Sequence, residues 1–186
     1  MAAVESDAVI VTDEHAAPAD VSVALYPGSF DPIHVGHLAI IERAARDYDR
    51  VVVAVMTNPA KVGFFTVARR VDLVRAATAH LDNVRCVSHH GLTVNAARAE
   101  SADVIVRSAG KEWASEMSMA ALNKRMTEIE TVMIPARAET RWVSSSAVRA
   151  LANAGRYADL RELLPAPVYA ALRDDLGDRT NRPHLH

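Results

Sequence analysis

The sequence has almost no cysteine: Cys86 is the single one among 186 residues. That excludes an internal disulfide and suits a reducing compartment such as the cytoplasm. Cys86 stands in the short run Val84 to Val87, which predicts a packed core position rather than a reactive thiol. An excess of one charge is also missing, with 21 Lys and Arg against 23 Asp and Glu and a net charge of -2. The chain therefore offers no general electrostatic reason to expect nucleic acid or an anionic membrane as partner. No apolar run approaches the roughly 18 residues of a membrane span. Nor does the N-terminus place a basic region ahead of an apolar one, as a secretory leader would. A cytoplasmic, soluble protein is the expectation.

What the sequence does contain is enough apolar residue, 50%, to bury the core of one domain. Met1 to Asp20 mixes acidic residues, alanines and a proline, so residues 1–21 are expected to be disordered or loosely docked through Ala8 to Val11. The domain runs over residues 22–176, and residues 177–186 form a polar tail whose His184 and His186 are expected to be solvated. Within the domain, apolar runs alternate with helical patterns. Val23 to Tyr26, Val51 to Met56, Val84 to Val87, Asp103 to Val106 and Thr131 to Ile134 predict five strands. The second of these is a continuous apolar run, as in a strand covered on both faces of a parallel sheet. Helices are predicted over His34 to Asp47, Thr66 to His80, Leu92 to Ser101, Lys111 to Met126, Ser144 to Ala154 and Pro165 to Leu176, with a short one at Tyr157 to Leu163. Thr66 is placed to cap its helix and Phe65 to pack before it. Arg69 and Arg70 are expected on a solvated face, and Met117, Ala120 and Ala121 on the inner face of theirs. Strands separated by helices of these lengths specify an α/β fold, a doubly wound five-stranded parallel sheet of Rossmann-like type.

One stretch is more specific than the rest: Tyr26-Pro27-Gly28-Ser29-Phe30-Asp31-Pro32-Ile33-His34-Val35-Gly36-His37. It compresses a strand end, a tight turn and a helix start, which delivers backbone N–H groups and the positive end of a helix dipole to one point. His34 and His37, three apart, share a helix face, and Gly36 between them lets a ligand approach the backbone. In doubly wound folds ligands bind at the carboxyl ends of the strands, near a switch in strand order. His34 and His37 follow the first strand, Lys61 the second, His89 and His90 the third, Arg107 the fourth, and Ser144 to Ser146 the fifth. Adjacent histidines seldom converge on one ion, and no cysteine or carboxylate cluster accompanies His89 and His90, so a metal site there is disfavoured.

The turn Gly28 to Pro32 followed by His34-Val35-Gly36-His37 resembles the signature of the nucleotidyltransferase superfamily with a His-x-Gly-His motif. More narrowly, the chain resembles the bacterial phosphopantetheine adenylyltransferases from about Val23 to about Leu176. The likeness includes Asn58-Pro59-Ala60-Lys61, Phe64-Phe65-Thr66 with Arg69 or Arg70, the segment Ser88 to Asn95, Arg107, and Trp142-Val143-Ser144-Ser145-Ser146. The resemblance implies adenylyl transfer from ATP to 4′-phosphopantetheine, giving dephospho-CoA and pyrophosphate in coenzyme A synthesis. By the same likeness, Ser29 and Lys61 hold the acceptor phosphate, and His37 with Lys61 the α-phosphate. Gly28, Ser29 and Phe30 belong to the nucleotide-binding turn. His34, Arg107 and Ser144, Ser145 and Ser146 hold the triphosphate tail, and Glu116 lies on the nucleotide side. Gly91, Leu92, Thr93 and Arg107 contact the acceptor. Mg²⁺ is implied as a cofactor bridging phosphates without dedicated protein ligands, as are a homohexamer and feedback binding of CoA.

The chain departs from that pattern after Arg107. The family has Arg-Gly-Leu-Arg followed by an acidic and aromatic run, whereas this sequence has Arg107-Ser108-Ala109-Gly110-Lys111, is about two residues shorter, and lacks the second arginine. Asp31 is compatible with a role in the site or in stabilising the turn. His34, Arg149 and the shortened segment also fit nucleotidyl transfer to another phosphorylated or phosphonate acceptor, or from CTP. A nucleotide-binding module without catalysis is the remaining alternative.

Overall fold

The structure is a computed structural model that describes residues 9–11, 23–57, 62–109 and 113–180. The expectations for Lys61 and its Asn58-Pro59-Ala60 lead, for Gly110 to Glu112, for most of residues 1–21 and for the last six residues of the tail lie outside the described residues.

The five expected strands form one parallel sheet, and a short strand adds to its edge. In chain order they are β1 (Val9–Val11), β2 (Val23–Gly28), β3 (Arg50–Thr57), β4 (Val84–His90), β5 (Val104–Ala109) and β6 (Glu130–Pro135). The spatial order is β1-β6-β5-β2-β3-β4, all pairs parallel. β1 pairs with β6 through Val9 opposite Thr131 to Val11 opposite Met133, which makes the sheet six-stranded rather than five. From β2 the chain winds outward through β3 to β4, then returns to the other side of β2 for β5 and β6. The switch in strand order therefore falls between β2 and β5, where Ala24 pairs with Val104 and Leu25 with Ile105.

β3 explains the core. Val51, Val52, Val53, Ala54 and Val55 are all fully buried. Because side chains alternate across a strand, Val51, Val53 and Val55 enter one apolar cluster and Val52 and Ala54 the other. Each fully buried valine contributes about 1.5–3 kcal/mol relative to exposure, so a strand without polar alternation is stable only where helices cover both faces. The first cluster takes in Ile40, Ile41 and Ala44 of α1 (Val35–Asp47), Leu73 and Val74 of α2 (Val67–Thr78), Val148 of α5 (Ser145–Asn153) and Val168 of α6 (Ala166–Thr180). The second includes Ala96 and Ala97 of α3 (Thr93–Ala99). Ala120 of α4 (Trp113–Thr127) is also buried. Cys86 is buried in the first cluster, and burial pushes its thiol up to about 12 despite nearby Arg75.

Several local expectations change. Thr66 is the N-cap of α2, accepting from Arg69 N–H at 3.2 Å, and Phe65 is buried, as foreseen. Arg70 is not on a solvated face: it is buried and its Nη1 donates to Ser29 O at 3.0 Å. On α4, Ala121 is exposed and the polar Asn123 is buried instead. The short helix Tyr157–Glu162 has 3₁₀ geometry.

Candidate active site

At the C-terminal end of β2 the chain turns sharply into α1, and its carbonyls are claimed from outside. Arg107 Nη1 donates to Pro27 O at 3.2 Å, Arg70 Nη1 to Ser29 O at 3.0 Å, Arg149 Nη1 to Asp31 O at 2.7 Å and Ser145 Oγ to Pro32 O at 2.9 Å. Four donors from three elements, β5, α2 and α5, therefore lock the turn in place. Phe30 takes a left-handed φ of 44°. Its ring is fully buried and packs edge-on against Tyr26 and His37 at centroid distances of 5.4 and 5.0 Å. A Cβ on Gly28 would stand 2.9 Å from the Phe30 ring, so glycine is required for the turn to close over that side chain.

α1 opens with a reciprocal cap built from two imidazoles. His34 Nδ1 accepts from the N–H of Gly36 at 3.1 Å and of His37 at 3.4 Å, and His37 Nδ1 accepts from His34 N–H at 3.4 Å. This is the geometry of a capping box, normally supplied by a hydroxyl and a carboxamide or carboxylate. An Nδ1 that accepts leaves the ring proton on Nε2, so both rings are neutral and present an Nε2–H donor. The rings stack with centroids 3.7 Å apart. Burial lowers the pKa of His34 to about 4. Burial, and then the neighbouring His34, lower that of His37 well below the ordinary value. A Cβ on Gly36 would meet the His34 ring at 3.0 Å and Thr140 O at 3.3 Å, which fixes the loop after β6 against the start of α1.

These elements wall a cavity of about 540 Å³. Of the residues predicted from sequence, Gly28, Ser29, His34, His37, Arg107, Glu116, Ser144 and Ser145 line it. Arg107 and Glu116 are joined as a bidentate pair, Nε to Oε2 at 2.5 Å and Nη2 to Oε1 at 2.6 Å. The sequence placed one on the phosphate tail and the other on the nucleotide side; in the structure each is the other's partner. Ser144 caps α5 by accepting from Ala147 N–H at 3.2 Å. Ser146 is not among the lining residues: its hydroxyl accepts from Arg149 at 3.1 Å. Phe30 is also absent from the lining, because its ring belongs to the core.

The segment after β4 does not reach the cavity. Gly91 has φ 86°, Leu92 is the exposed N-cap residue of α3, and Thr93 begins that helix; none of the three is a lining residue. The sheet extends three residues beyond the predicted strand, to His90, which carries this turn along the outer edge. His89 Nε2 is 2.6 Å from Glu100 Oε1, and Arg85 pairs with the other oxygen. Burial would raise the Glu100 pKa, but the hydrogen bonds from His89 and Arg85 outweigh it and lower it. Among the described residues, no group of three His, Cys, Asp or Glu side chains could hold a metal ion.

The structure also gives definite places to residues that the sequence left open or did not assign. Asp31 is buried and its two oxygens accept from Phe64 N–H at 2.7 Å and Phe65 N–H at 2.9 Å, so it ties the residues after Lys61 to the turn. Arg149 is a latch from α5 to that same turn. Tyr26, Ser108, Thr140, Arg141 and Trp142 also line the cavity. Trp142 belongs to the segment singled out from sequence, whereas Arg141, just before it, was not, and its place shortly ahead of the serine run was the local signal that could have found it.

Comparison with known proteins agrees with this architecture. The cytidylyltransferase-like family matches residues 25–151. A phosphopantetheine adenylyltransferase of Gloeobacter violaceus is 51% identical over 72% of this chain and 84% of its own length. One from Heliobacterium modesticaldum is 42% identical over 84% of this chain and 94% of its own. Among solved structures, a Vibrio parahaemolyticus protein assigned as a nicotinate-nucleotide adenylyltransferase superposes with a TM-score of 0.60 at 18% identity, covering 82% of this chain and 98% of its own, which speaks to the fold. With a turn clamped from three elements, a histidine capping box facing a cavity at the strand switch, and relatives at this level, the chain belongs to the cytidylyltransferase-like family of nucleotidyltransferases, among the phosphopantetheine adenylyltransferases.

Proposed function

We propose that the chain transfers AMP from ATP to the phosphate of 4′-phosphopantetheine, forming dephospho-CoA and pyrophosphate. The observation that carries this is the pair of neutral, stacked imidazoles whose Nδ1 atoms are spent on the helix cap and whose Nε2–H groups remain as donors beside the cavity. The relatives named phosphopantetheine adenylyltransferase, 51% and 42% identical, support the acceptor.

The chemistry suits such donors. An oxygen of the acceptor phosphate attacks the α-phosphorus of ATP, a P–O bond forms, and the P–O bond to the β-phosphate breaks as pyrophosphate leaves. The attacking oxygen is already anionic near neutral pH, so no general base is required, and catalysis reduces to positioning and charge stabilisation. A histidine with a depressed pKa is a poor proton carrier at pH 7 but a fixed hydrogen-bond donor. His37 is assigned to the α-phosphate oxygens as charge builds, with Lys61 beside it. Ser29 and Lys61 take the acceptor phosphate, and the N-terminus of α5 at Ser144 and Ser145 takes the nucleotide's phosphates.

Mg²⁺ is proposed to arrive with ATP. Glu116 is the carboxylate among the described lining residues, and both its oxygens accept from Arg107. That donor set suits an ion held by phosphate oxygens and water rather than by a protein cage. When bound, the ion would neutralise polyphosphate charge. A homohexamer, feedback binding of CoA and a cytoplasmic location complete the reading. Met119, Leu122 and Met126, exposed and spaced along one face of α4, offer an apolar surface suited to a subunit contact; no described helix is long and apolar enough to cross a membrane.

The test is pyrophosphate release with ATP and CTP against a panel containing 4′-phosphopantetheine, nicotinamide mononucleotide and phosphorylated alcohols. Turnover with ATP and 4′-phosphopantetheine at least tenfold above any other pair is expected. Preference for another acceptor, or for CTP, overturns the assignment, and ATP binding without turnover on any acceptor makes the chain a binding module.

A further inference from the structure

A leaving pyrophosphate carries several negative charges, and something in the cavity must face them. Both imidazoles are neutral. Of the two arginines among the described lining residues, Arg107 has its charge matched by Glu116 and a third donor on Pro27 O. The other is Arg141. It is exposed, and its side chain makes no hydrogen bond or ion pair with any described residue.

The backbone that carries Arg141 is nevertheless fixed. Its N–H donates to Arg137 O at 2.9 Å, and two residues on the Val143 N–H donates to Thr140 O at 3.0 Å. Thr140 O packs where a Gly36 side chain would be, against the histidine cap. Three residues on, Ser144 begins the capped N-terminus of α5. Arg141 thus projects from a braced loop between two donor sites, the imidazole pair and the α5 N-terminus. An uncompensated guanidinium there has planar, bidentate donors suited to phosphate oxygens.

We propose that Arg141 binds the β- and γ-phosphates of the nucleotide and holds the departing pyrophosphate, supplying the second guanidinium that the shortened segment after Arg107 lacks. This rests on the nucleotidyl-transfer reading of the cavity and assigns a residue that discriminates a triphosphate from a monophosphate.

Steady-state kinetics and calorimetry on the full chain test it, with Arg141→Ala and Arg141→Lys. A charge-assisted hydrogen bond of this kind is worth roughly 10- to 100-fold in affinity. Arg141→Ala should raise KM for ATP by about that factor, leave KM for 4′-phosphopantetheine and the affinity for AMP within about twofold, and be partly rescued by Arg141→Lys. An unchanged KM for ATP, an equal loss for ATP and AMP, or a loss confined to the acceptor overturns it. If the wild-type protein turns over no acceptor, the enzymatic reading fails, and tripolyphosphate binding decides this inference alone. Weakening about tenfold in Arg141→Ala upholds it; equal binding by both proteins, or none by the wild type, overturns it.

Discussion

His34 and His37 cap one helix together, each accepting the other's backbone N–H through Nδ1 while their rings lie 3.7 Å apart. One atom of each ring is structural and the other is left to meet a ligand. Substitution can therefore separate the two roles.

An Asn side chain reproduces the Nδ1 acceptor of histidine but not the Nε2 donor. His34→Asn should retain the cap and the stability of the wild type, whereas His34→Ala should lose about 1 kcal/mol, the usual worth of an N-cap. Both should raise KM for ATP. Urea denaturation beside steady-state kinetics checks this; equal stability of the two variants would show that the cap is not held by His34. His37→Ala should lower turnover on the order of a hundredfold with the fold retained, the cost of one transition-state donor.

Acidification should weaken the fold through these rings. The His34 pKa falls from 6.5 unfolded to about 4 folded, so the unfolded chain binds the proton more readily. The contribution is fully present above pH 6.5 and is lost as pH falls through about 4. The full shift corresponds to about 3 kcal/mol. Urea midpoints between pH 7 and pH 4 should drop further for the wild type than for His34→Asn, which does not titrate there. Parallel profiles would refute the assignment.

Asp31 joins two loops. Asp31→Ala removes both acceptors for Phe64 and Phe65 N–H, in a buried setting where hydrogen bonds to a charged group are worth about 1.5–3 kcal/mol each. A fall in Tm is expected together with a larger fall in kcat than in ATP affinity, because the residues after Lys61 lose their tether. A loss of Tm with unchanged kcat would confine Asp31 to stability.

Gly36→Ala tests the brace between α1 and the loop after β6. The added methyl meets the His34 ring and Thr140 O, and overpacking of this kind costs about 1–3 kcal/mol. KM for ATP should rise severalfold, since the ring and the loop bearing Arg141 must both shift. Wild-type kinetics would mean that neither wall contributes to nucleotide binding.

The winding of the sheet was legible in the chain alone, because a strand with an unbroken apolar run such as Val51 to Val55 is stable only between two helical layers, and periodicity and capping are local properties. So were the turn Gly28 to Pro32, the caps Thr66 and Ser144, and the fact that the chemical residues fall at one edge of the sheet. Local pattern carries no information about which distant group meets which. That Arg107 pairs with Glu116, that Arg70 braces the turn rather than facing solvent, that Arg149 latches the same turn from α5, that Ser146 turns away while Arg141 lines the wall, and that Gly91 to Thr93 stay at the outer edge were decided only when the strands took their spatial order. Val9 to Val11 makes the same point: three apolar residues specify no strand until the edge of β6 offers them unpaired N–H and carbonyl groups.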